Sequence, residues 1–363
     1  HTHLSSGTSI VTGINLTGIE KKSIWLKMIA EKVQAMQPGE WLLGGRWDYT
    51  FEDKGYPTRW ELDQVTPNNP VALSDIDGHS MWVNSLAMEK ANIKANSVVP
   101  VGGQIMLDQE TGEPNGILLE GAIDLVWRDE SYVRDSGKAR KAIDKVLEFA
   151  TSLGITSVHD MSSKIELDSY LDLAKRGQLN VRTFYGQHSK FDAGDDATSD
   201  KAQIKKLTQQ YKFSDPNKGP MVEFGYIKYV LDGVLSTHTA AMLEPYSDRP
   251  DLIGVPFYTQ DEIDALVKRA NELGFPVAIH AIGDRAVRMA LNSFEKGGDR
   301  TLANRIEHIE IIHPDDVPRF KELNVAASMQ PNHGTGVIGK YITLRVGKER
   351  ERNAYVWGDR KRT

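Results

Sequence analysis

From residue 136 onward the chain repeats one pattern: a helical stretch, a short turn, then an apolar strand. SGKARKAIDKVLEFATSL (136–153) stops at Gly154 and is followed by ITSVHD (155–160). A helix at 164–176 precedes VRTFYG (181–186), and a polar stretch at 192–218, read as helix with loops, precedes VEFGYIKYVLDG (222–233). THTAAMLEPY (237–246) reads as a loop. Helix 261–273, with Thr259 and Glu262 spaced as a capping box, leads into FPVAIHA (275–281). Asp284 is placed to cap helix 285–296, RIEHIEI (305–311) follows, and Pro314 opens a helix through Leu323 before VAASMQP (325–331). Strands separated by single helices are joined by crossovers and pair in parallel.

Six strands of this kind predict an α/β fold of the (β/α)8 TIM-barrel type. HTHL at residues 1–4 is expected to end a first strand whose body precedes residue 1. The last βα unit is also expected to be missing, because the only later apolar run, YITLRV (341–346), lacks a partner helix and a polar terminus. The chain is therefore read as one barrel domain over 1–363, incomplete at both ends. Residues 38–135 form an insertion or lid between the first and second barrel strands. A helix at 18–36 stops at Pro38-Gly39, and WLLGGRWD (41–48) reads as strand and turn. VALSDIDGHSMWVNSLAM (71–88) reads as strand, glycine turn and helix, with His79 and Trp82 flanking the helix start. GGQIMLDQETGEPNGILLEGA (102–122) reads as two strands around a turn, leading into a helix.

The feature hardest to reconcile with a plain core is Lys228, which sits among Phe224, Tyr226, Ile227, Tyr229, Val230 and Leu231. A parallel strand is covered on both faces, so an ammonium there must snorkel, pair, lose its proton or be modified. Other polar residues recur at strand ends: His1 and His3, His280, and His308. His-x-His in an extended segment turns both imidazoles to one face, half of a zinc-type site, although a tag remnant would read the same way. Barrel enzymes carry their chemistry at the C-terminal ends of strands, and four histidines with one buried lysine there point to a shared metal site. Nitrogen and oxygen donors suit zinc and admit manganese, iron or nickel. The chain has no cysteine, which excludes disulfides, thiolate ligands and a cysteine nucleophile. A net charge of −6 argues against a general nucleic-acid partner, and no stretch is apolar enough for a membrane span.

The stretches HTHLSSG, DGHSMWVNSLAM, GITSVHDM, IKYVLDGVLSTHTAAMLEPY, AIHAIGDRAVR, RIEHIE and SMQPNH together resemble the amidohydrolase superfamily. The likeness is to its third sequence group, which includes N-substituted formamide deformylases. The resemblance implies that His1 and His3 bind one divalent ion and His280 and His308 another, with zinc expected and one or two ions bound. Lys228, carboxylated on its side-chain nitrogen, would bridge them. It makes Lys228, His280 and His308 the catalytic group and places His79, Trp82, Arg285 and Gln330 against the substrate. Packing for His79, pairing on its own helix for Arg285 and loop surface for His333 are equally consistent with the residues. The implied reaction is hydrolysis of a non-peptide C–N bond in a small amide or N-substituted formamide by a metal-activated hydroxide. Two features of the group have no counterpart in the motifs: a final-strand aspartate, a role not assigned to Asp359, and a small flanking β-sandwich. An inactive chain that at most binds metal or ligand, and a metal-free barrel lyase or isomerase, are the competing readings. A homodimer is compatible with the sequence. The compartment stays open, cytoplasmic if no signal peptide precedes His1, and the basic end GDRKRT (358–363) reads as a solvated tail.

Overall fold

A computed structural model describes residues 1–4, 13–48, 56–100, 102–128, 136–162, 164–188, 208–335, 339 and 341–356. The Ser5–Gly7 loop, most of the polar 192–218 stretch and the Gly358–Thr363 tail with Asp359 lie outside these residues. The chain forms two compact units, Ser5–Val146 and a larger one made of His1–Leu4 with Leu147–Thr363. No helix among the described residues is long and apolar enough to cross a membrane.

The smaller unit carries a mixed sheet of six strands: β1 (Ile14–Asn15), β2 (Leu42–Trp47), β3 (Val71–Asp75), β4 (Ser80–Val83), β5 (Gln104–Leu107) and β6 (Pro114–Leu119). They run in the order β1-β2-β3-β4-β6-β5. Helix α1 (Lys22–Gln34) buries Trp25, Ile29 and Val33, spaced four apart so that they share one face, against Leu42, Trp47, Val71 and Trp82. Short helices α2 (Arg59–Asp63) and α3 (Ser85–Lys90) complete it, with a 3₁₀ turn at Glu120–Arg128. Trp82 does not flank a helix start, as the sequence suggested. It lies inside β4, which pairs antiparallel with β3 and β6, and the helix begins only after Asn84, whose Oδ1 accepts from Ala87 N.

Helix α4 (Ser136–Ser152), whose residues from Leu147 belong to the larger unit, is followed by β7 (Ser157–Met161), α5 (Lys164–Lys175) and β8 (Arg182–His188). The short β9 (Phe213–Asp215) pairs antiparallel with the long β10 (Gly219–Val230). After these come α6 (Gln260–Glu272), β11 (Val277–Ala281), α7 (Asp284–Gly297), β12 (Arg305–His308), α8 (Arg319–Glu322), β13 (Ala326–Ser328) and α9 (Tyr341–Glu351). All six expected strands are present and parallel, in the order β13-β12-β11-β10-β8-β7. The Thr259–Glu262 capping box forms as its spacing predicts. Asp284, in contrast, is the first residue of its helix, and its Oδ1 accepts from Leu243 N. The expected helix from Pro314 is cut into a 3₁₀ turn and α8 around Pro318, which has no amide hydrogen to continue the ladder. YITLRV opens a helix, α9, not a strand.

Alternation along β10 sorts its side chains. Ile227, Tyr229 and Leu231 pack with α6 and α7 residues Ile263, Leu266, Val267, Ala286, Val287 and Ala290. Tyr226 and Lys228 therefore face the other side of the sheet, where Tyr226 meets Met161 and Ala278. That side is concave. β7 and β12 are four strands apart, about 19 Å in a flat sheet at roughly 4.8 Å per strand. Yet Arg305 Nη1 on β12 lies 3.1 Å from His159 Nδ1 on β7. The sheet has to curl for these side chains to meet, giving a parallel half-barrel with Lys228 inside it.

Gly186 on β8 lies beneath Tyr226, where an added Cβ would stand 2.4 Å from the ring and 2.7 Å from Met161 Cε. Gly186→Ala should cost about 1–3 kcal/mol through overpacking. The check is a lower denaturant midpoint at unchanged slope; an unchanged midpoint would show that the concave core has slack there.

Candidate metal centre

The concave mouth gathers most of the polar residues singled out from the sequence. The His1 ring lies 4.9 Å from His3 and 4.9 Å from His308, which lies 4.6 Å from His280. His333 stacks on His308 at 5.3 Å and donates its Nδ1–H to Glu310 Oε1 at 2.8 Å. Lys228, His280 and His308 are buried, whereas His3 is exposed.

Each strand end does this differently. Thr2 bridges Asp160 of β7 in parallel fashion, with Thr2 N donating to His159 O at 2.8 Å and Met161 N to Thr2 O at 3.0 Å. His280 is the next-to-last residue of β11, and its Nε2 lies 3.1 Å from Gly233 O. On β12, Glu307 and His308 are consecutive and would point to opposite faces of a regular strand. His308 and Ile309 instead adopt φ of 77° and 52°. Left-handed backbone at a β-branched residue is strained, and strain of this kind accumulates at functional sites. The turn lets both neighbours reach His1: Glu307 Oε2 is 3.1 Å from His1 Nδ1, while the His308 ring touches the His1 ring. The Glu307 approach is too bent to count as a hydrogen bond.

Three imidazoles have one ring nitrogen set by a neighbouring oxygen. Gly233 O can only accept, so His280 carries a proton on Nε2, with Asp232 Oδ1 3.5 Å away. Gln330 Nε2 donates to Ser328 O, which fixes its Oε1 as the acceptor for His308 Nδ1 at 2.7 Å and leaves His308 Nε2 free. Glu307 Oε2 faces His1 Nδ1, and His1 Nε2 is turned toward His3. A carboxylate or carbonyl behind the ring is the usual support of a metal-binding histidine. Burial, together with His280 and Lys228, pulls His308 well below the ordinary imidazole value, so it stays neutral.

His1 Nε2 and His3 Nε2 are 3.0 Å apart. Two lone pairs at that distance need a proton or a cation between them. Nitrogens bonded to zinc at roughly 2.0–2.1 Å would span this gap at an angle of about 94°. The donor chemistry therefore fits a divalent ion. Among the described residues, however, no three imidazole or carboxylate groups close on a single point.

Lys228 is held in place by charge. Burial lowers its ammonium to about 7, opposed by Glu307 and assisted by Arg305. Burial pushes Glu307 up, but Lys228 and Arg305 outweigh it and keep the carboxylate ionised. Glu307 also accepts from Arg305 Nε at 2.5 Å and from the Ser328 hydroxyl. Arg305 in turn lies over the Tyr226 ring at 3.7 Å. Glu307, Asp160 and Arg305 lie in stretches quoted for the family likeness, but no spacing rule marked them as site residues.

Gln330, expected beside the substrate, is thus the hydrogen-bond partner of a histidine. Arg285 lies on the first turn of α7 with its side chain exposed. The other two expected substrate residues belong to the smaller unit. Trp82 is fully buried there, its Nε1 donating to Thr58 O at 2.9 Å and its ring 6.3 Å from Trp47. His79 lies in the turn before β4, with Nδ1 2.7 Å from Glu120 Oε2.

The larger unit is thus a parallel half-barrel that gathers imidazoles and a buried lysine at its strand ends. A profile of the amidohydrolase family matches residues 1–363, and the chain belongs to that family. It is 31% identical over 345 residues to Protein LONG AFTER FAR-RED 3 of Arabidopsis thaliana, covering 92% of this chain and 57% of that one. It is 27% identical over 340 residues to N-substituted formamide deformylase of Arthrobacter pascens, covering 90% of this chain and 60% of that one. An uncharacterized metal-dependent hydrolase from Pyrococcus horikoshii OT3 superposes with a TM-score of 0.71 at 25% identity, covering 98% of this chain and 66% of that one. The chain thus spans about three fifths of the length of these curated relatives.

Two outcomes follow from this geometry. Gln330→Ala leaves His308 free to rotate and change tautomer, so zinc affinity should fall about 10–100-fold. Competition with a chromophoric chelator measures it, and an unchanged constant would remove Gln330 from the support of His308. The second concerns His79. Its partial burial works to lower the imidazolium, but the Glu120 charge and hydrogen bond, with Asp77 and Asp75, carry it up to about 10. A folded value above the unfolded 6.5 gives stability that is complete below pH 6.5 and is lost as pH rises through about 10. The stability advantage of wild type over Glu120→Gln should therefore shrink between pH 6 and pH 10. Denaturant midpoints at both pH values test this, and a gap that stays constant would contradict it.

Proposed function

We propose that this chain is the barrel part of a metal-dependent hydrolase of non-peptide C–N bonds, acting on a small amide or N-substituted formamide. The observation that carries the reading is Lys228, buried on the concave face with its ammonium lowered to about 7, in the half-barrel whose mouth gathers a cluster of imidazoles. A substantial fraction of that amine is unprotonated near neutrality, and an unprotonated amine adds carbon dioxide to form a carbamate with release of a proton. The product is an anionic oxygen donor where a buried cation would otherwise stand. His1 and His3, Lys228 as carbamate, and His280 and His308 would hold one or two divalent ions, with zinc favoured by the nitrogen and oxygen donors. Such an ion, once bound, lowers the pKa of water and polarises a carbonyl.

The chain's own residues do the rest. His308 offers Nε2, because Gln330 occupies its opposite ring atom, and Gly233 O holds the His280 ring through Nε2. Glu307 balances Lys228 and lies beside His1. Arg285, exposed on the first turn of α7, is proposed to meet the substrate. The amide-type substrate is supported by the likeness to the formamide deformylase, and the metal by the likeness to the Pyrococcus hydrolase.

The test supplies zinc and bicarbonate to the purified chain and measures metal content and turnover of an N-substituted formamide. Wild type should bind metal and release formate, and Lys228→Ala should lose both the second ion and turnover. Unchanged metal stoichiometry in Lys228→Ala would sink the carboxylated-lysine assignment. Turnover that persists after chelation would sink the metal-dependent reading.

A further inference from the structure

We infer that Asp160 is the positioning residue of the His1–Leu4 arm, the clamp that makes the His1 and His3 rings converge. The inference rests on reading these two histidines as ligands, but the geometry stands apart from that reading. The arm has one backbone bridge to the sheet, through Thr2. Its Thr2 and Leu4 are held further by side-chain bonds to β7. Asp160 Oδ1 accepts from the Thr2 hydroxyl at 3.0 Å and from Leu4 N at 2.8 Å. The Thr2 hydroxyl also reaches His159 O at 3.1 Å.

Thr2 lies between the two histidines. Side chains alternate along an extended segment, so fixing the Thr2 side chain on one face turns His1 and His3 together to the other. Binding Leu4 N fixes where the arm leaves the sheet. The carboxylate can do this because it is itself immobile. Its Oδ2 accepts from the Ser162 hydroxyl at 2.6 Å and from Tyr170 OH, on α5, at 2.9 Å. Asp160 is fully buried, and these four donors satisfy both of its oxygens. A rigid carboxylate thus transmits the position of a helix in the barrel wall to a four-residue arm.

Three variants of the full chain separate this from simple packing: Asp160→Ala, Asp160→Asn and Thr2→Val. Asparagine keeps a carbonyl oxygen for Thr2 and Leu4, and its amide can donate to the Ser162 and Tyr170 hydroxyls, which also accept. Zinc affinity, read against a chromophoric chelator, should fall about 10–100-fold in Asp160→Ala and stay within about threefold of wild type in Asp160→Asn. Thr2→Val alters neither a ligand nor a core residue. It should weaken zinc binding with the metal-free melting temperature unchanged, and this variant answers the question if Asp160→Ala does not fold. Wild-type zinc affinity in both Asp160→Ala and Thr2→Val would overturn the inference.

A second readout needs no metal. Hydrogen exchange at the Leu4 amide should be fast in Asp160→Ala and protected in wild type and Asp160→Asn, and equal protection in all three would overturn the clamp. Should wild type bind no zinc at all, the metal reading fails, and this exchange measurement still decides the clamp.

Discussion

A primary amine inside a parallel sheet constrains everything around it. Leaving the Lys228 ammonium unbalanced would cost several kcal/mol of desolvation, so the interior has been arranged to compensate it. Glu307 supplies the opposite charge and is itself held by Arg305 and Ser328, while Arg305 is supported by the Tyr226 ring. The concave face is consequently a polar layer in which a change at one member is felt by the rest. The opposite face of the same strand is ordinary: Ile227, Tyr229 and Leu231 pack against helices and provide the apolar burial that keeps β10 in place. One strand thus separates two jobs by alternation alone. The cohesion of the wall does not depend on the chemistry of the mouth.

How much of this could be read beforehand follows from the range of each interaction. The six parallel strands were legible because each is a contiguous run of β-branched and aromatic residues separated by a helix with its own stop signal. The Thr259–Glu262 capping box was legible for the same reason, since its partners are three residues apart. His1, His3, Lys228, His280 and His308 could be grouped because parallel strands carry their C-terminal ends to one side. What escaped is non-local or depends on backbone. β4 was read as the start of a helix because Ser80, Met81 and Trp82 do not declare their partners. Their register with Leu119, Leu118 and Ile117 is set by a strand far along the chain. The left-handed turn at His308 and Ile309 has no signature, because β-branched Ile309 disfavours it.

Gln330 shows a subtler limit. The family likeness placed it at the mouth, and it is there, with its carboxamide spent on His308 Nδ1 and Ser328 O. Position along a strand says which side chains arrive together. It does not say which touches substrate and which holds a neighbour, because that is decided by side-chain torsions and by the competition for each lone pair. The same distinction separates Arg285, whose side chain is exposed, from Trp82, whose ring and nitrogen are fully engaged in the smaller unit.

The arm also carries a kinetic meaning. Thr2 and Asp160 are 158 residues apart, and the whole smaller unit lies between them in the chain. Loop-closure entropy grows only with the logarithm of that separation, so the excursion weakens the finished contact little. It governs timing instead: contacts of large sequence separation form late in folding, and during synthesis the arm leaves the ribosome well before the strand that receives it. The two histidines at the front of the chain are therefore among the last groups to reach their place, and a chain caught before that moment would have a nearly complete wall and no centre.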